Sequence, residues 1–208
     1  IMQEVIEAFD RFEGPIITYV NTEAISAGAY IAIATNEIAF APYGQIGAAE
    51  AVSGGGGDID AGMKRKINSY LKAKIRNFSG EHRYRSRVMV AMMDANETLL
   101  VEGEQPVAAD GSLIQKEGEL LSLTAEEAVK EYGDPPQHLL GIGIYKTVDE
   151  LLAAKYGEGN FEVVSMEINW AEELGLWLSG IAPIILGLGM LLLFIEFKTP
   201  GFGVFGAS

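Results

Sequence analysis

The sequence predicts an α/β domain followed by one membrane-spanning helix. Two apolar segments, residues 15 to 20 and 37 to 42, alternate with segments of helical periodicity, which is the order of β-α-β crossovers. Residues 174 to 195 carry no charge and are long enough to cross a hydrocarbon core of roughly 30 Å as a helix. A chain of 208 residues can hold one α/β domain with a sizeable core and a small appendage.

The first half of the chain begins with an amphipathic helix and continues with alternating strands and helices. The opening segment IMQEVIEAFDRF has apolar residues at positions 1, 2, 5, 6, 9 and 12, which is the spacing of an amphipathic helix. The elements that follow are a buried strand at 15 to 20, a helix at 27 to 35, a strand at 37 to 42 and a long helix at 60 to 78.

Two further helices are expected before the membrane segment. In residues 123 to 133, Thr124 is a candidate N-cap with Glu127 three positions on, which is the pattern of a capping box, and Gly133 stands near the expected end. Residues 146 to 157, KTVDELLAAKYG, are predicted to form a further short helix. No internal repeat is visible.

The predicted organisation has four parts. Residues 1 to 166 form the α/β domain, 167 to 173 a linker, 174 to 195 the membrane helix and 196 to 208 the start of a following loop. A domain of this class seldom opens on a helix without a preceding strand, and the chain stops in a turn rich in Gly and Phe. We therefore expect a fragment of a longer protein, with its N-terminal part and later membrane helices missing.

Composition excludes several functions. The formal net charge of −14 disfavours a nucleic-acid partner, because phosphate binding needs a dominant basic surface. The absence of cysteine excludes disulfides, thiolate catalysis and cysteine zinc sites. His82 and His138 lie far apart in the sequence, so a histidine-rich metal site is not expected, and both are predicted at the surface.

The basic residues are concentrated in one segment. Residues 64 to 87 hold nine of the fifteen Lys and Arg residues and a single acid, Glu81. A solvated helix face accounts for most of these charges. The alternative interpretation is that one of these lysines is catalytic.

Ser26 is the candidate nucleophile. It stands where a strand gives way to a helix, so its hydroxyl would lie beside the free N–H groups of the first turn, which can stabilise an oxyanion. Ala27, Gly28 and Ala29 keep this turn narrow enough for a substrate backbone to approach. On this evidence alone a simple N-cap role is the better interpretation, because serine is a preferred N-cap.

A serine hydroxyl needs a base to become a nucleophile, and a lysine can serve when burial or neighbouring positive charge lowers its pKa. The MKRK run at 63 to 66 offers such crowding. Helical periodicity places Lys64, Lys66 and Lys74 at the flanks of the apolar face or within it, and leaves the choice among them open.

Four segments in the same order resemble one protease family. Residues 24 to 49, AISAGAYIAIATNEIAFAPYGQIGAA, resemble the nucleophile segment of the membrane-bound, ClpP-class serine proteases of the long-form NfeD family, which are found with stomatin-like proteins. KINSYLKAKI resembles the lysine helix of that family, and GELLSLTAEEAVKEYG the segment that follows its dyad. LLLFIEFKTPGFGVFG resembles the family's first membrane passage and the turn behind it.

The resemblance implies a Clp/crotonase-like fold and an ATP-independent endopeptidase with a Ser-Lys dyad and no cofactor or metal. It assigns Ser26 as nucleophile and Lys66, 40 residues later, as general base, with the N–H of Ala27 in the oxyanion hole. The family's second oxyanion donor comes from an Asp-Thr-Pro-Gly-Gly stretch that is absent here, so activity is expected to need that stretch. The entry loop NTEAISAG also differs from that of relatives, which often have a proline and Gly-Ala there.

The resemblance also implies partners and a location. Family substrates are hydrophobic segments of stomatin-like or prohibitin-like membrane proteins, which implies an apolar groove for which Tyr30, Ile46 and Val52 are candidates, although each is more simply a core or loop residue. A homo-oligomer, a dimer or larger, is expected. The acidic Glu167, Glu172 and Glu173 before the membrane helix and Lys198 after it favour an extracytoplasmic protease domain, as does the family.

Other interpretations concern both the glycine run and the whole chain. SGGGGD at 53 to 58 lacks the Gly-Lys-Ser/Thr of a phosphate loop, so a mobile loop ordered by substrate is the better interpretation.

A catalytically inactive membrane scaffold for stomatin-like proteins is the alternative function. A crotonase-like acyl-CoA enzyme is a second alternative, but no carboxylate pair of recognisable spacing supports it.

Overall fold

The computed structural model describes residues 2–50, 60–80, 82–166 and 170–198. Within the described ranges the chain divides into two compact units, Ile1–Phe161 and Glu162–Ser208. Val52 and the glycine run at 53 to 58 lie outside the described residues.

The first unit is built from six helices and seven short strands among its described residues. In chain order they are α1 (Met2–Arg11), β1 (Ile17–Val20), β2 (Glu23–Ile25), α2 (Ala27–Ile33), β3 (Glu37–Phe40), β4 (Gln45–Gly47), α3 (Ala61–Ser79), α4 (Arg85–Met93), β5 (Ser122–Thr124), α5 (Ala125–Ala128), β6 (Glu131–Tyr132), β7 (Gln137–His138) and α6 (Val148–Tyr156).

Parallel pairing dominates the first half of the unit, as the β-α-β pattern predicts. β1 pairs with β3, with Ile17 opposite Glu37, and β2 pairs with β4, with Ile25 opposite Gly47. β5 adds to the other edge of β4 in the antiparallel sense and places Ser122 opposite Gly47. β6 and β7 form a separate hairpin. The α/β class is confirmed.

The core lies between these strands and helices α2, α3 and α4. α2 contributes Ala29, Ala32 and Ile33, which are at most 1% exposed, and α3 contributes Leu71 and Ile75. The largest contribution comes from the unpredicted helix α4, whose buried apolar side chains are Val88, Met89, Ala91, Met92 and Met93. Such burial accounts for most of the stability of short helices, which are marginal in isolation.

Several predicted elements are confirmed with small shifts of their ends. α1, β1, α2, β3 and α6 fall within the predicted segments, and α3 begins and ends one residue later than predicted. The capping box is present: Thr124 Oγ1 accepts from the Glu127 N–H, and the Glu127 carboxylate accepts from the Thr124 N–H. The helix predicted over 123 to 133 is wrong in length, because α5 ends at Ala128 and the chain then turns into the β6–β7 hairpin.

The basic segment is less exposed than its charges suggest. Arg85 is only 5% exposed, and its guanidinium donates to Thr35 O at 2.8 Å and Asn36 O at 3.0 Å, just after α2 ends. Burial lowers the pKa of this guanidinium. Arg85 therefore joins α4 to the end of α2, so the expectation of a solvated face is wrong at this position.

The two histidines are half-buried, so the expectation that they lie at the surface holds only in part. His82 Nδ1 accepts from the Arg85 N–H at 3.2 Å. Burial, with a smaller contribution from the Arg85 charge, lowers the pKa of His82 to about 4. Among the described residues no group of His, Cys, Asp and Glu has the arrangement of a metal site.

The second unit contains α7 (Trp170–Lys198). Its segment Trp170–Ile195 is long and apolar enough to cross a membrane, and no other helix in the described ranges meets that criterion. α7 begins four residues before the predicted membrane segment and includes Pro183 without ending there. The candidate membrane span predicted from the sequence is thus present as a continuous helix.

Candidate active site

Ser26 occupies a strained turn between β2 and α2. Its backbone has φ 54° and ψ −118°, and only two other described non-glycine residues, Ala48 and Glu102, have positive φ. Such a conformation costs a residue with a Cβ of order 1 to 3 kcal/mol and persists only where the surroundings impose it. A strained serine between a strand and a helix is the geometry of the nucleophile elbow of serine hydrolases.

The Ser26 hydroxyl is not used to cap the helix. Ser26 O accepts the first helical hydrogen bonds, from Ala29 N at 3.1 Å and Tyr30 N at 3.5 Å, so the residue is at the N-cap position. Its side chain, however, makes no capping hydrogen bond and is exposed. The simple N-cap interpretation therefore lacks the contact on which it depends, and the hydroxyl is accessible to a reactant.

Small residues on both sides make the sharp turn possible. Ala24 stands two positions before Ser26 and Gly28 two positions after it, and a Cβ added to Gly28 would lie 3.7 Å from Ala24 Cβ. A larger side chain at either position would press β2 and α2 apart. The pattern Ala-Ile-Ser-Ala-Gly corresponds in this respect to the G-x-S-x-G pattern of nucleophile elbows.

The end of β4 holds the serine turn in place. The Ser26 N–H donates to Gly47 O at 3.2 Å, and the Ala48 N–H donates to Leu121 O at 3.0 Å. Gly47 has φ 153°, and a Cβ there would lie 2.5 Å from both Leu121 O and Ser122 Cα. Only glycine allows β5 to approach this closely. The carboxyl ends of the parallel strands β2 and β4 thus meet at Ser26 and Ala48, which is where open α/β sheets bind ligands.

Ala27 supplies the first N–H of α2. The first N–H groups of a helix have no carbonyl within the helix to accept from them, so this donor is available to an external oxygen. Ala27 is exposed, as is Ser26. A donor adjacent to the nucleophile is the usual arrangement of an oxyanion hole in acyl transfer.

The three candidate lysines lie on α3, which packs against α2 and α4. Lys66 is exposed and is out of phase with the buried positions Asn68, Leu71 and Ile75. Lys74 Nζ is 6.0 Å from the centre of the Tyr70 ring. The side chain of Lys64 lies outside the described part of the molecule. Both members of the predicted dyad are exposed, and no hydrogen bond joins Ser26 to Lys66 within the described residues.

The candidate groove residues are part of the closed core where the structure describes them. Tyr30 is 8% exposed, its hydroxyl contacts Met93 Sδ at 3.6 Å, and burial raises its pKa. Ile46 is fully buried on β4. Val52 lies outside the described ranges. Their substrate-binding role stays a prediction, and Ile25, 38% exposed beside the nucleophile, is an apolar side chain that borders the site more openly.

Sequence reasoning missed the role of β4 and β5. Gly47 and Ser122 face each other across these strands, next to the serine turn. The signal that could have indicated Gly47 is the run Gly47-Ala48-Ala49 directly after a buried apolar residue, which favours a close approach of backbones. No comparable signal exists for the three-residue strand β2, which is too short to show alternation.

These features define a class of protein: an α/β fold of the ClpP-like serine protease type, with an elbow serine at the strand ends and one candidate membrane helix. The fold resembles solved structures of the 1510-N membrane-bound stomatin-specific protease. A lysine-to-alanine variant in complex with a substrate peptide has a TM-score of 0.59 and 23% sequence identity, over 86% of this chain and 76% of that chain. A serine-to-alanine variant has a TM-score of 0.51 and 26% identity, over 75% and 62%.

The chain belongs to the NfeD1b family, because residues 2–158 match the model of the NfeD1b N-terminal domain. It is similar to the membrane protein NfeD1b of Bacillus subtilis (strain 168), with 29% identity over 210 residues. That alignment covers 99% of this chain and 42% of the relative, so the chain spans less than half the length of the curated protein it matches. The family expected from the four sequence segments is confirmed.

Proposed function

We propose that this chain is the catalytic part of a membrane-anchored, ATP-independent serine endopeptidase in which Ser26 is the nucleophile and Lys66 the general base. The observation that carries the proposal is the state of Ser26: its backbone is held at φ 54° and its exposed hydroxyl makes no capping hydrogen bond. A protein that needed only a helix cap would gain stability from a relaxed turn with the hydroxyl bonded.

In the proposed mechanism, neutral Lys66 accepts the proton of Ser26 Oγ while that oxygen attacks a peptide carbonyl. The Ala27 N–H and a second donor stabilise the oxyanion. When the tetrahedral intermediate collapses, the C–N bond breaks and the Lys66 ammonium gives its proton to the leaving amine, which returns Lys66 to the neutral amine. Water then attacks the acyl-enzyme with Lys66 again as base. Proton transfer requires Nζ within about 3 Å of Oγ, and such contacts often form only when substrate is bound. We therefore place the closure of the dyad in the substrate complex.

For the substrate we propose an apolar segment of a stomatin-like membrane protein. Two observations support this class: the solved relatives are named as a stomatin-specific protease, and the exposed Ile25 borders the candidate nucleophile. The candidate membrane helix would hold the enzyme at the bilayer in which such a segment lies.

An inactive scaffold of the NfeD type is the second candidate. The observation that favours it is that no hydrogen bond joins Ser26 to Lys66 among the described residues, because a dyad without that bond does not activate the hydroxyl. In that case the same surface would bind a stomatin-like partner without cleaving it.

A fluorophosphonate probe separates the two candidates, because it reacts with activated serines only. We expect labelling of the full-length protein, loss of labelling in Ser26→Ala, and at least a hundredfold slower labelling in Lys66→Ala, as expected when a general base is removed. Ser122→Ala is the matched control, since Ser122 is an exposed serine at the neighbouring end of β5. Labelling that persists in Ser26→Ala, or a full-length protein that is never labelled, contradicts the protease.

A further inference from the structure

Lys66 lies on the outward side of α3, although the proposed mechanism requires it at Ser26. The buried residues on the inward side of α3 include Asn68, Leu71 and Ile75. Successive residues of an α-helix turn by about 100°, so Lys66 and Asn68, two positions apart, point to opposite sides of the helix. Lys66 is accordingly exposed. An intact α3 therefore directs the proposed base away from the side that packs on the rest of the fold.

The inward side of α3 faces the short helix that follows the candidate nucleophile. α3 packs against α2, and α2 begins directly after Ser26. Because α2 has only seven residues, it is about 10 Å long, and every part of it lies near the serine turn. A side chain directed inward from α3 therefore points toward the neighbourhood of Ser26, whereas a side chain directed outward points to solvent.

Asn68 carries an acceptor that the described structure leaves unused. The residue is 8% exposed, and its Oδ1 has no hydrogen-bond donor among the described residues. A buried acceptor without a donor costs stability until a donor reaches it. Of the side chains described in α3, Asn68 is the first that is buried. It therefore offers an oxygen at the point where α3 enters the core.

The residues before Asn68 are the weakest part of α3. Gly62 lies in the first turn, and only proline is a poorer helix former than glycine. The N-cap Asp60 holds this turn, since its Oδ2 accepts from Gly62 N at 2.9 Å and Met63 N at 3.3 Å. Met63 is already 52% exposed, so opening the turn uncovers little apolar surface. A residue gains at most about 1.6-fold from joining a helix, so residues 61 to 67 favour the helical state by roughly thirtyfold, which substrate binding can offset.

We propose that the first two turns of α3, residues 61 to 67, open to bring Lys66 to Ser26, and that Asn68 then positions the lysine. In an extended backbone alternate side chains lie on the same side, so opening turns Lys66 to the side of Asn68. The neutral amine donates an N–H to Asn68 Oδ1 and keeps its lone pair for the proton of the Ser26 hydroxyl. The opening rests on the proposed function, because it matters only if Lys66 is the base for Ser26.

A reversible metal lock across residues 67 and 68 tests the opening. In the full-length protein without a histidine tag, R65H/S69H places two imidazoles one turn apart at exposed positions, where both can bind one Ni²⁺ while this part of α3 is helical. With Ni²⁺ at about ten times its Kd, the open state becomes about tenfold less populated. We expect fluorophosphonate labelling of Ser26 to slow about tenfold, and to recover when EDTA removes the metal.

A second pair of histidines is the matched control. A73H/N77H places the same lock at exposed positions after Asn68, in the part of α3 that stays helical. Ni²⁺ is expected to leave the labelling of this variant unchanged. Labelling of R65H/S69H that is indifferent to bound Ni²⁺ overturns the opening, and so does an equal slowing in both variants. A pair at 65 and 69 that binds no Ni²⁺ also overturns it, since that part of α3 would not be helical.

Asn68→Leu tests the positioning role separately from the fold. Leucine has a similar volume and removes an acceptor that has no donor among the described residues, so the free energy of unfolding is expected to stay equal or rise. Labelling of Ser26 is nevertheless expected to slow about tenfold, because a hydrogen bond to the base is lost. In Asn68→Asp, a carboxylate beside Lys66 favours the ammonium, so the pH profile of labelling moves to higher pH. A labelling rate and pH profile that neither substitution changes would overturn the positioning role.

Failure of the opening and failure of the protease are distinguishable. Labelling of Ser26 that is lost in Lys66→Ala but ignores the lock at 65 and 69 retains the protease and overturns the opening. A full-length protein that is never labelled contradicts both. Loss of labelling in Lys64→Ala instead of Lys66→Ala would show that another lysine of α3 is the base, and would overturn the opening as well.

Discussion

At the scale of single residues, the account depends on the backbone strain at Ser26. The Ser26 hydroxyl is exposed and does not cap α2. The small neighbours Ala24 and Gly28 and the hydrogen bond from the Ser26 N–H to Gly47 O hold the backbone of Ser26 at φ 54°. Strain that serves function is expected to cost stability. The serine turn should therefore be a position at which substitutions stabilise the fold.

Ser26→Gly is predicted to be more stable than Ser26→Ala by about 1 kcal/mol. Both variants lose the hydroxyl, but only alanine keeps a Cβ at positive φ, and the gain exceeds the extra entropy that glycine loses on folding. Chemical denaturation of the full chain in detergent measures the difference. Equal stability of the two variants would show that the turn is not strained.

Gly47→Ala tests the support of the turn. A Cβ at this position would lie 2.5 Å from Leu121 O and Ser122 Cα, so β4 and β5 must separate, at a cost of about 2 to 3 kcal/mol. Gly111→Ala is the control, since Gly111 also has positive φ, 82°, but has no heavy atom within 4 Å of the added Cβ, and its cost is expected near 1 kcal/mol. Similar losses in the two variants, again by denaturation, would contradict the close approach of β5.

At the scale of elements, the sequence predicted best where a pattern extended over many residues. The periodic segments gave α1, α3 and α6 with small errors, and the uncharged segment gave α7. Elements of three residues or fewer, such as β2 and β5, carry too few positions for alternation to show. α4 was missed because its basic first turn resembles a surface, whereas Arg85 is buried by its hydrogen bonds to carbonyls that follow α2.

The site was predicted as a set of residue types and not as a geometry. Ser26 could be singled out because the small residues around it and the strand-to-helix junction are local features, whereas the roles of Ser26 as nucleophile and of Ala27 in the oxyanion hole came from the family resemblance and stay predictions. The choice among Lys64, Lys66 and Lys74 depends on how α3 meets α2, which is a long-range property. Burial of Tyr30 and Ile46 followed the core interpretation, since their side chains point inward from α2 and β4.

His82, between α3 and α4, is predicted to make stability depend on pH. Because burial lowers its pKa in the folded state to about 4, the unfolded chain binds a proton more readily. Stability is therefore full above the ordinary histidine pKa near 6.5 and falls as the pH decreases from there to about 4. His82→Asn keeps an acceptor for the Arg85 N–H without titrating, so its thermal stability should fall less over this range. The same pH dependence in both proteins would show that His82 contributes nothing to it.

At the scale of the whole molecule, the proposed function joins an α/β unit to one candidate membrane helix. Glu172 and Glu173 stand in the first turn of α7 and Lys198 in its last turn, which favours the first unit outside the cytoplasm. We predict that a cysteine introduced at the exposed Ser112 reacts with a membrane-impermeant maleimide in intact cells. Labelling that requires permeabilised cells would place the first unit on the cytoplasmic side.

The central claim is that the hydroxyl of Ser26 is the nucleophile, and peptide mapping of the fluorophosphonate adduct tests it most directly. The full-length protein is reacted with the probe, digested and analysed by mass spectrometry. The account predicts one adduct, on the peptide that contains Ser26, at a rate that decreases when Lys66 is replaced. An adduct on Ser122 or another serine, with the peptide of Ser26 unmodified, would contradict it.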